Sequence, residues 1–376
     1  MVDVFAPRHT AQQWARTHAG VAAGDLVLAH HAAPPALAPG AGRDRATRER
    51  LEAERLRPGA TAASGAGDRA REEAPDPVRT CFERDRDRIL HAEAFRRLAG
   101  KTQVFIFPAD HQRTRLTHAL EVAQVAGAIA RAVDLNVALT EAIALGHDCG
   151  HGPGGHASEE ALGIYLPDGF DHAVWGADVV AAPLNLCRET LDGIRNHSWS
   201  RPTPATPEGA VVSWADRIAY VCHDFEDAVR AGILTPDDLP GEVRDVVGTR
   251  RSEQIGTFVL AVLDAIERTG HVGMTEPAAG ALAAFRAFNF ERIYLRPASR
   301  RQAEKVIRLL RGLVDHFADA PHRLPDAGAH GAVPEPGSDA AAAMAVRYVS
   351  GMTDRFALGL GVELLGWRPE DLPRGV

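Results

Sequence analysis

The chain has 376 residues, of which 45% are hydrophobic, 24% charged and 6% aromatic, a globular profile that excludes a disordered or fibrous protein. Its formal charge of -8 excludes a passive nucleic-acid coat held by bulk electrostatics. Four scattered cysteines (Cys81, Cys149, Cys187, Cys222) form no CxxC pair and read as reduced thiols. No apolar run approaches the ~18 residues of a membrane helix, and the first residues lack the pattern of a signal peptide, so a cytoplasmic location is expected.

Residues 1–42, rich in Ala, Pro, Gly and His, read as a poorly determined extension. A short charged helix is predicted over 43–57, and an aperiodic Gly/Ala/Ser/Pro segment over 58–78 reads as a mobile loop or linker. Together, residues 1–78 read as an N-terminal extension, partly disordered or loosely packed, before a core over 79–376. Residues 82–100 have helical spacing. The run TQVFIFPADHQ that follows, β-branched and aromatic until Pro108, predicts at most a short hairpin near 103–108. Val122, Val125, Ile129 and Val133 make one apolar stripe of a helix over 117–133. Further helices are predicted over 140–148, with Thr140 as N-cap and Gly150 past the end, and over 209–231, closed by Gly232. Others are predicted near 253–269, 277–290, 299–320 and 340–364, with a Pro/Gly/Ala-rich loop over 321–339. Strand signals are nearly absent, so the class is all-α.

His147-Asp148 ends a predicted helix, and alone it reads as a capping histidine beside a solvated aspartate. Three features change that. His118 lies in the apolar stripe of its helix, where its ring nitrogens need partners. Asp216, Tyr220, Asp224 and Asp227 recur at spacings of four, four and three, one stripe along the helix over 209–231. The segment HDCGHGPGGH (147–156) crowds three histidines and an aspartate into an irregular, Gly-rich backbone. His118, His147, Asp148 and Asp216 thus make a set of two imidazoles and two carboxylates, suited to a divalent ion such as Mn²⁺, Mg²⁺, Fe²⁺ or Zn²⁺. Such an ion polarises phosphorus and acidifies water.

The motifs RDRDRILHAEAFRRLAGKTQVF (84–105), RTRLTHALEVAQVA (113–126), EAIALGHDCGHGPGGHASEEAL (141–162), GFDH (169–172), LNL then LDGIRNH (184–197), WADRIAYVCHD (214–224) and YVSGMTDRFA (348–357) span most of the chain. In that order they resemble the deoxyguanosinetriphosphate triphosphohydrolase-like family of the HD phosphohydrolase superfamily. The resemblance implies an HD-domain helical bundle with additional C-terminal helices. It implies hydrolysis of a deoxynucleoside triphosphate to the nucleoside and inorganic triphosphate, with Mn²⁺ or Mg²⁺ bound (Fe²⁺, Zn²⁺ or Ni²⁺ as alternatives). It further implies a homo-oligomer, hexamer or tetramer, and nucleic acid only as a regulator.

The resemblance also assigns roles. His118, His147, Asp148 and Asp216 would ligate the metal. Arg115 would contact the α-phosphate and Gln103 the sugar 3′-hydroxyl. His156, Glu159 and His172 would act on the leaving group or water. His151 would contact substrate or support the ligands. Arg217, Tyr220 and Asp224 would contact phosphate and sugar, with Tyr220 stacked on the deoxyribose against a 2′-hydroxyl. A triphosphate needs cations, so some of Arg84, Arg86, Arg88, Arg96, Arg97 and Lys101 are expected to face it. Where the family has PFGH, this chain has Pro153-Gly154-Gly155-His156, which removes an apolar anchor beside His156. Ala173-Val174-Trp175 replaces the family's Asn-x-Gln. Two other readings share the scaffold: another HD phosphohydrolase (a nucleotide phosphomonoesterase or a phosphodiesterase), and a non-catalytic nucleotide sensor.

Overall fold

The structure, a computed structural model, describes residues 20–30, 36–64, 67–106, 112–325, 327–328 and 332–373. The chain divides into two units, Met1–Arg43 and Asp44–Val376. In the first, β1 (Val21–Ala23) pairs antiparallel with β2 (Leu26–Leu28), Val21 opposite Leu28. The two-residue turn is Gly24-Asp25, with Gly24 at φ 63° as such a turn requires. This hairpin lies in the stretch that composition alone left without structure. The hairpin expected near 103–108 is, among the described residues, a single bridge between Thr102 and Thr114; residues 107–111 lie outside them.

The second unit is helical. It runs through α1 (Arg45–Arg55), α2 (Cys81–His91), α3 (Glu93–Arg97), α4 (Arg115–Ala132), α5 (Val137–Gly146), α6 (Ala157–Gly163), α7 (His172–Trp175) and α8 (Arg188–Asn196). It continues through α9 (Pro207–Arg230), α10 (Gly241–Val247), α11 (Arg251–Thr269), α12 (Ala278–Asn289), α13 (Pro297–Ala318), α14 (Asp339–Ser350) and α15 (Asp354–Leu365). No helix among the described residues is long and apolar enough to cross a membrane. All four cysteines are buried and free.

Three boundaries differ from expectation. Asn136, not Thr140, caps α5: its side chain accepts from the Leu139 amide at 3.2 Å, and Thr140 instead donates to the Asn136 carbonyl. The helix expected over 82–100 breaks at Ala92, whose backbone is extended. The helix expected over 340–364 is two helices, because Thr353 leaves helical geometry and caps α15 through the Phe356 amide.

Three apolar clusters hold the unit. The largest joins α4, α5, α9, α11 and α12 through Val122, Ile129, Leu139, Ile218, Phe225, Phe258 and Phe285. A second packs α6, α13, α14 and α15 through Leu162, Leu310, Leu313, Val346, Val349 and Leu358. A third gathers Ile89, Leu98, Leu145, Leu186 and Ile194. Asp354, the first residue of α15, joins the segment after α3 to the loop before α6: its buried carboxylate accepts from the Thr102 amide at 2.9 Å, the Thr102 hydroxyl and the Gly154 amide at 2.8 Å.

The described residues of 58–78 are irregular, as expected, and are held by long-range anchors. Buried Glu208 accepts from the Thr61 amide and hydroxyl and from the Asn136 amide. Arg69 pairs with fully buried Asp85 at 2.7 Å. Composition shows the missing periodicity; it does not show these long-range anchors.

Candidate active site

The α4 stripe carries His118 into the interior, and the Ile218–Cys222–Phe225 face of α9 turns into the core, which leaves Asp216, Tyr220 and Asp224 facing a cleft. That cleft is a cavity of about 420 Å³. Gln103, Arg115, His118, Asp148, His151, His156, His172, Asp216, Arg217, Tyr220 and Asp224 all line it. His147 is buried against it and Glu159 bonds two of its histidines.

The four expected ligands converge. His118 Nε2 lies 3.0 Å from Asp216 Oδ1, and His147 Nε2 lies 3.6 Å from the same oxygen and 3.5 Å from Asp148 Oδ1. Two donors each about 2.1 Å from one ion stand about 3.0–3.4 Å apart, so these separations fit edges of one coordination shell. His147 Nδ1 contacts the Ala144 carbonyl at 2.7 Å, so the proton sits there and Nε2 presents a lone pair. That Nε2 is buried and, among the described residues, has no hydrogen-bond partner. The donor set therefore fits a divalent cation.

Electrostatics agree. Burial alone would raise the Asp148 carboxyl, but Arg115, at 2.7 Å, with His147 and His151, holds it well below the usual range. Burial likewise works against the Asp216 carboxylate, and His118, His147 and His197 outweigh it. Both carboxylates stay ionised, as ligation requires.

The loop after Asp148 is shaped by close approach. A Cβ at Gly150 would stand 2.0 Å from the His172 carbonyl oxygen. Gly154 has φ +74°, and a Cβ there would meet Val306 Cγ1 at 2.6 Å. The side chain missing from the PFGH pattern is thus one this backbone would not accept without moving. His151 Nε2 donates to Asp148 Oδ1 at 3.2 Å, and its ring stacks on His172 with centroids 3.7 Å apart. Glu159 accepts from His172 Nδ1 on one oxygen and meets His156 Nδ1 at 3.3 Å on the other. Burial would raise the Glu159 carboxyl, and the two histidines hold it low instead. His156 is the most open of these rings, its side chain 75% exposed.

Gln103 Oε1 is buried and, among the described residues, has no hydrogen-bond partner. Tyr220 accepts from Arg286 Nε at 2.7 Å, and Asp224 accepts from the Tyr294 hydroxyl. Burial raises the Asp224 carboxyl to about 7. Asp227, last of the predicted stripe, instead pairs with Arg113 at 2.5 Å.

The basic segment 84–101 does not supply the cleft. Arg84 and Arg88 pair with Glu73, Arg86 with Asp87 and Glu141, and Arg97 with Glu93. Lys101 is buried, its ammonium shifted down to about 8 by burial, and it donates to the His151 and Ser350 carbonyls. None of the six lines the cavity. The cations that do are Arg115, Arg217 and Arg286. Arg286 was not anticipated; it sits over the Phe290 ring at 4.4 Å. His197 was also missed as a site residue. It ends α8 as His147 ends α5, with Nδ1 on the Ile194 carbonyl at 2.8 Å and Nε2 3.3 Å from His172 Nε2. Burial, then His147 and His172, lower it to about 4. A helix-end histidine was the signal that could have found it.

Comparison with known proteins places the chain among its relatives. The family model of the HD domain matches residues 115–221, and that of the phosphohydrolase-associated domain matches 272–361. A deoxyguanosinetriphosphate triphosphohydrolase-like protein of Caldanaerobacter subterraneus is 44% identical over 317 residues, covering 82% of this chain and 92% of its own. One from Clostridium perfringens (strain 13 / Type A) is 40% identical over 311 residues, covering 77% and 87%. A solved structure, of a hypothetical protein from Aquifex aeolicus, is similar at a TM-score of 0.48 and 17% identity, covering 76% of this chain and 69% of that one.

Proposed function

Because the chain belongs to the deoxyguanosinetriphosphate triphosphohydrolase-like family of HD-domain proteins, we propose that it hydrolyses deoxynucleoside triphosphates to the deoxynucleoside and inorganic triphosphate. Membership makes it a metal-dependent nucleotide phosphohydrolase; the substrate and the bond cut are our reading. The observation that carries it is the meeting of two overlapping donor groups, His118–His147–Asp148 and His147–His197–Asp216, with Arg115, Arg217 and Arg286 around one cavity. A cleft with that many cations and a metal suits a polyphosphate far better than a single phosphate.

His118, His147, Asp148 and Asp216 would hold the cation, Mn²⁺ or Mg²⁺ by family resemblance. When bound, it supplies Lewis-acid charge to a phosphoryl oxygen and lowers the pKa of water. In the reaction, water oxygen adds to the α-phosphorus, the bond to the nucleoside O5′ breaks, and O5′ takes up a proton. Arg115, fixed by Asp148, orients the α-phosphate. Arg217 accepts the outer phosphates. Glu159 orients His156 and His172, and these rings move the protons of attack and departure. Gln103, with its unpartnered Oε1, accepts from the sugar 3′-hydroxyl. Tyr220 packs on the deoxyribose, and Asp224 contacts the same end of the nucleoside. Assembly as a hexamer or tetramer in the cytoplasm, with nucleic acid acting only as a regulator, completes the proposal on family resemblance.

The test is incubation of the purified protein with each deoxynucleoside triphosphate and Mn²⁺ or Mg²⁺, with products separated by ion exchange. Inorganic triphosphate is expected. Orthophosphate or pyrophosphate would assign a different phosphohydrolase, and binding without turnover would assign a sensor.

A further inference from the structure

The Arg217 guanidinium lies over the Trp199 ring, its Cζ 3.4 Å from the centroid. Among the described residues no carboxylate pairs with it, and its Nε is buried with no hydrogen-bond partner. It lines the cavity next in sequence to Asp216. Trp199 itself is fixed on two sides. Its Nε1 donates to the Ser213 carbonyl at 3.1 Å, and Trp214 meets it edge-on with centroids 4.6 Å apart. Trp199 stands two residues past His197, on the segment joining α8 to α9, and it lines the same cavity. Its side that is not packed remains open, with 45% of the residue exposed.

The choice of an aromatic partner has a chemical consequence. A carboxylate partner would neutralise the guanidinium and occupy its in-plane N–H donors. A ring face engages the guanidinium face and leaves both the charge and the in-plane donors for a ligand. Arg113 shows the contrast in this chain: Glu121, Glu226 and Asp227 surround it, and it lies outside the cavity.

We propose that Trp199 is the positioning residue for Arg217, holding its guanidinium by ring stacking so that its N–H donors meet the polyphosphate of the substrate. Trp199 thereby sets the affinity for the triphosphate portion rather than the rate of bond cleavage. The inference rests on the triphosphate reading of the site above.

The experiment measures steady-state kinetics with a deoxynucleoside triphosphate, and calorimetric binding of inorganic triphosphate, for the wild type, Trp199→Ala, Trp199→Phe, Arg217→Ala and the double alanine variant. Trp199→Ala is expected to raise KM about 3- to 30-fold, with kcat nearly unchanged. Trp199→Phe is expected to recover most of the loss. The double variant is expected to bind no worse than Arg217→Ala, because the tryptophan acts only through the arginine. An unchanged KM in Trp199→Ala would overturn the proposal. So would a tryptophan effect that adds in full to that of Arg217→Ala, or a Trp199→Phe variant as weak as Trp199→Ala. Inorganic triphosphate is expected to follow the same order of affinities. Because that arm needs no turnover, it separates the two readings. A wild type that turns over substrate with an indifferent Trp199 overturns the stacking proposal alone, whereas a wild type that binds inorganic triphosphate but releases none from substrate overturns the assigned reaction.

Discussion

His118 Nε2 stands 3.0 Å from Asp216 Oδ1, although the two residues are 98 positions apart in the chain. The contact exists because α4 and α9 share one apolar seam, with His118 on one helix and Asp216 on the other beside it. Burial would lower the His118 imidazolium, and Asp216 more than offsets this, so the ring is held in a strongly anionic surrounding. That surrounding is what a cation would neutralise.

His147→Ala removes a buried lone pair already aimed at the site by the Ala144 carbonyl. Metal content, measured by plasma mass spectrometry after dialysis, is expected to fall to background. Turnover should drop on the order of 10³-fold or more. The circular dichroism spectrum should persist. Retention of a full equivalent of metal would remove His147 from the ligand set.

Gly154→Phe would install the residue usual at this position in the family pattern. Here it should destabilise, because φ is +74° and the Cβ would press on Val306 at 2.6 Å. The strain alone amounts to about 1–3 kcal/mol. Thermal denaturation should show a lower Tm than the wild type; an equal or higher one would mean that the loop takes a different backbone.

Asp354→Asn replaces a buried carboxylate that accepts from Thr102 and Gly154 with an amide whose NH2 meets donors. A loss of about 2 kcal/mol is expected in urea unfolding. Because the bond to Gly154 also fixes the loop carrying His156, turnover should fall more than in a surface control such as Glu363→Gln. A stability within error of the wild type would show that this junction carries no strain when broken.

Asp224 gives a pH signature. Burial raises its carboxyl to about 7, above the ordinary value near 4, so the folded state holds a proton that the unfolded chain has released between those pH values. Its contribution to stability is present below about pH 4 and is lost as pH rises toward 7. Asp224→Asn removes this loss. The Tm of the variant, relative to the wild type, should therefore rise between pH 4.5 and pH 7.5, and a flat difference would contradict the protonated carboxyl.

The candidate metal-binding cluster is legible in the sequence because its chemistry is locally marked. His118 interrupts an apolar stripe, and His147-Asp148 opens a segment whose glycines are dictated by close approach at Gly150 and positive φ at Gly154. The arginines that line the cleft are less legible. The arginines of 84–101 drew attention by density, yet their neighbours in the fold, Glu73, Asp87, Glu93 and Glu141, neutralise most of them. Arg286 sits in an alanine-rich helix with nothing nearby in sequence to mark it, and only the packing of α12 on α9 brings it to Tyr220. The hairpin at 21–28 was hidden by alanines, and the anchoring of 58–78 depends on Glu208 and Asp85, far away in the chain.

Isotope tracing tests the reaction most directly. Turnover of a deoxynucleoside triphosphate with Mn²⁺ in ¹⁸O-labelled water, followed by mass spectrometry of the separated products, reports which bond is cut. Attack at the α-phosphorus puts one ¹⁸O into inorganic triphosphate and leaves the nucleoside 5′-oxygen unlabelled. Label in the nucleoside, or labelled orthophosphate or pyrophosphate without triphosphate, would contradict it.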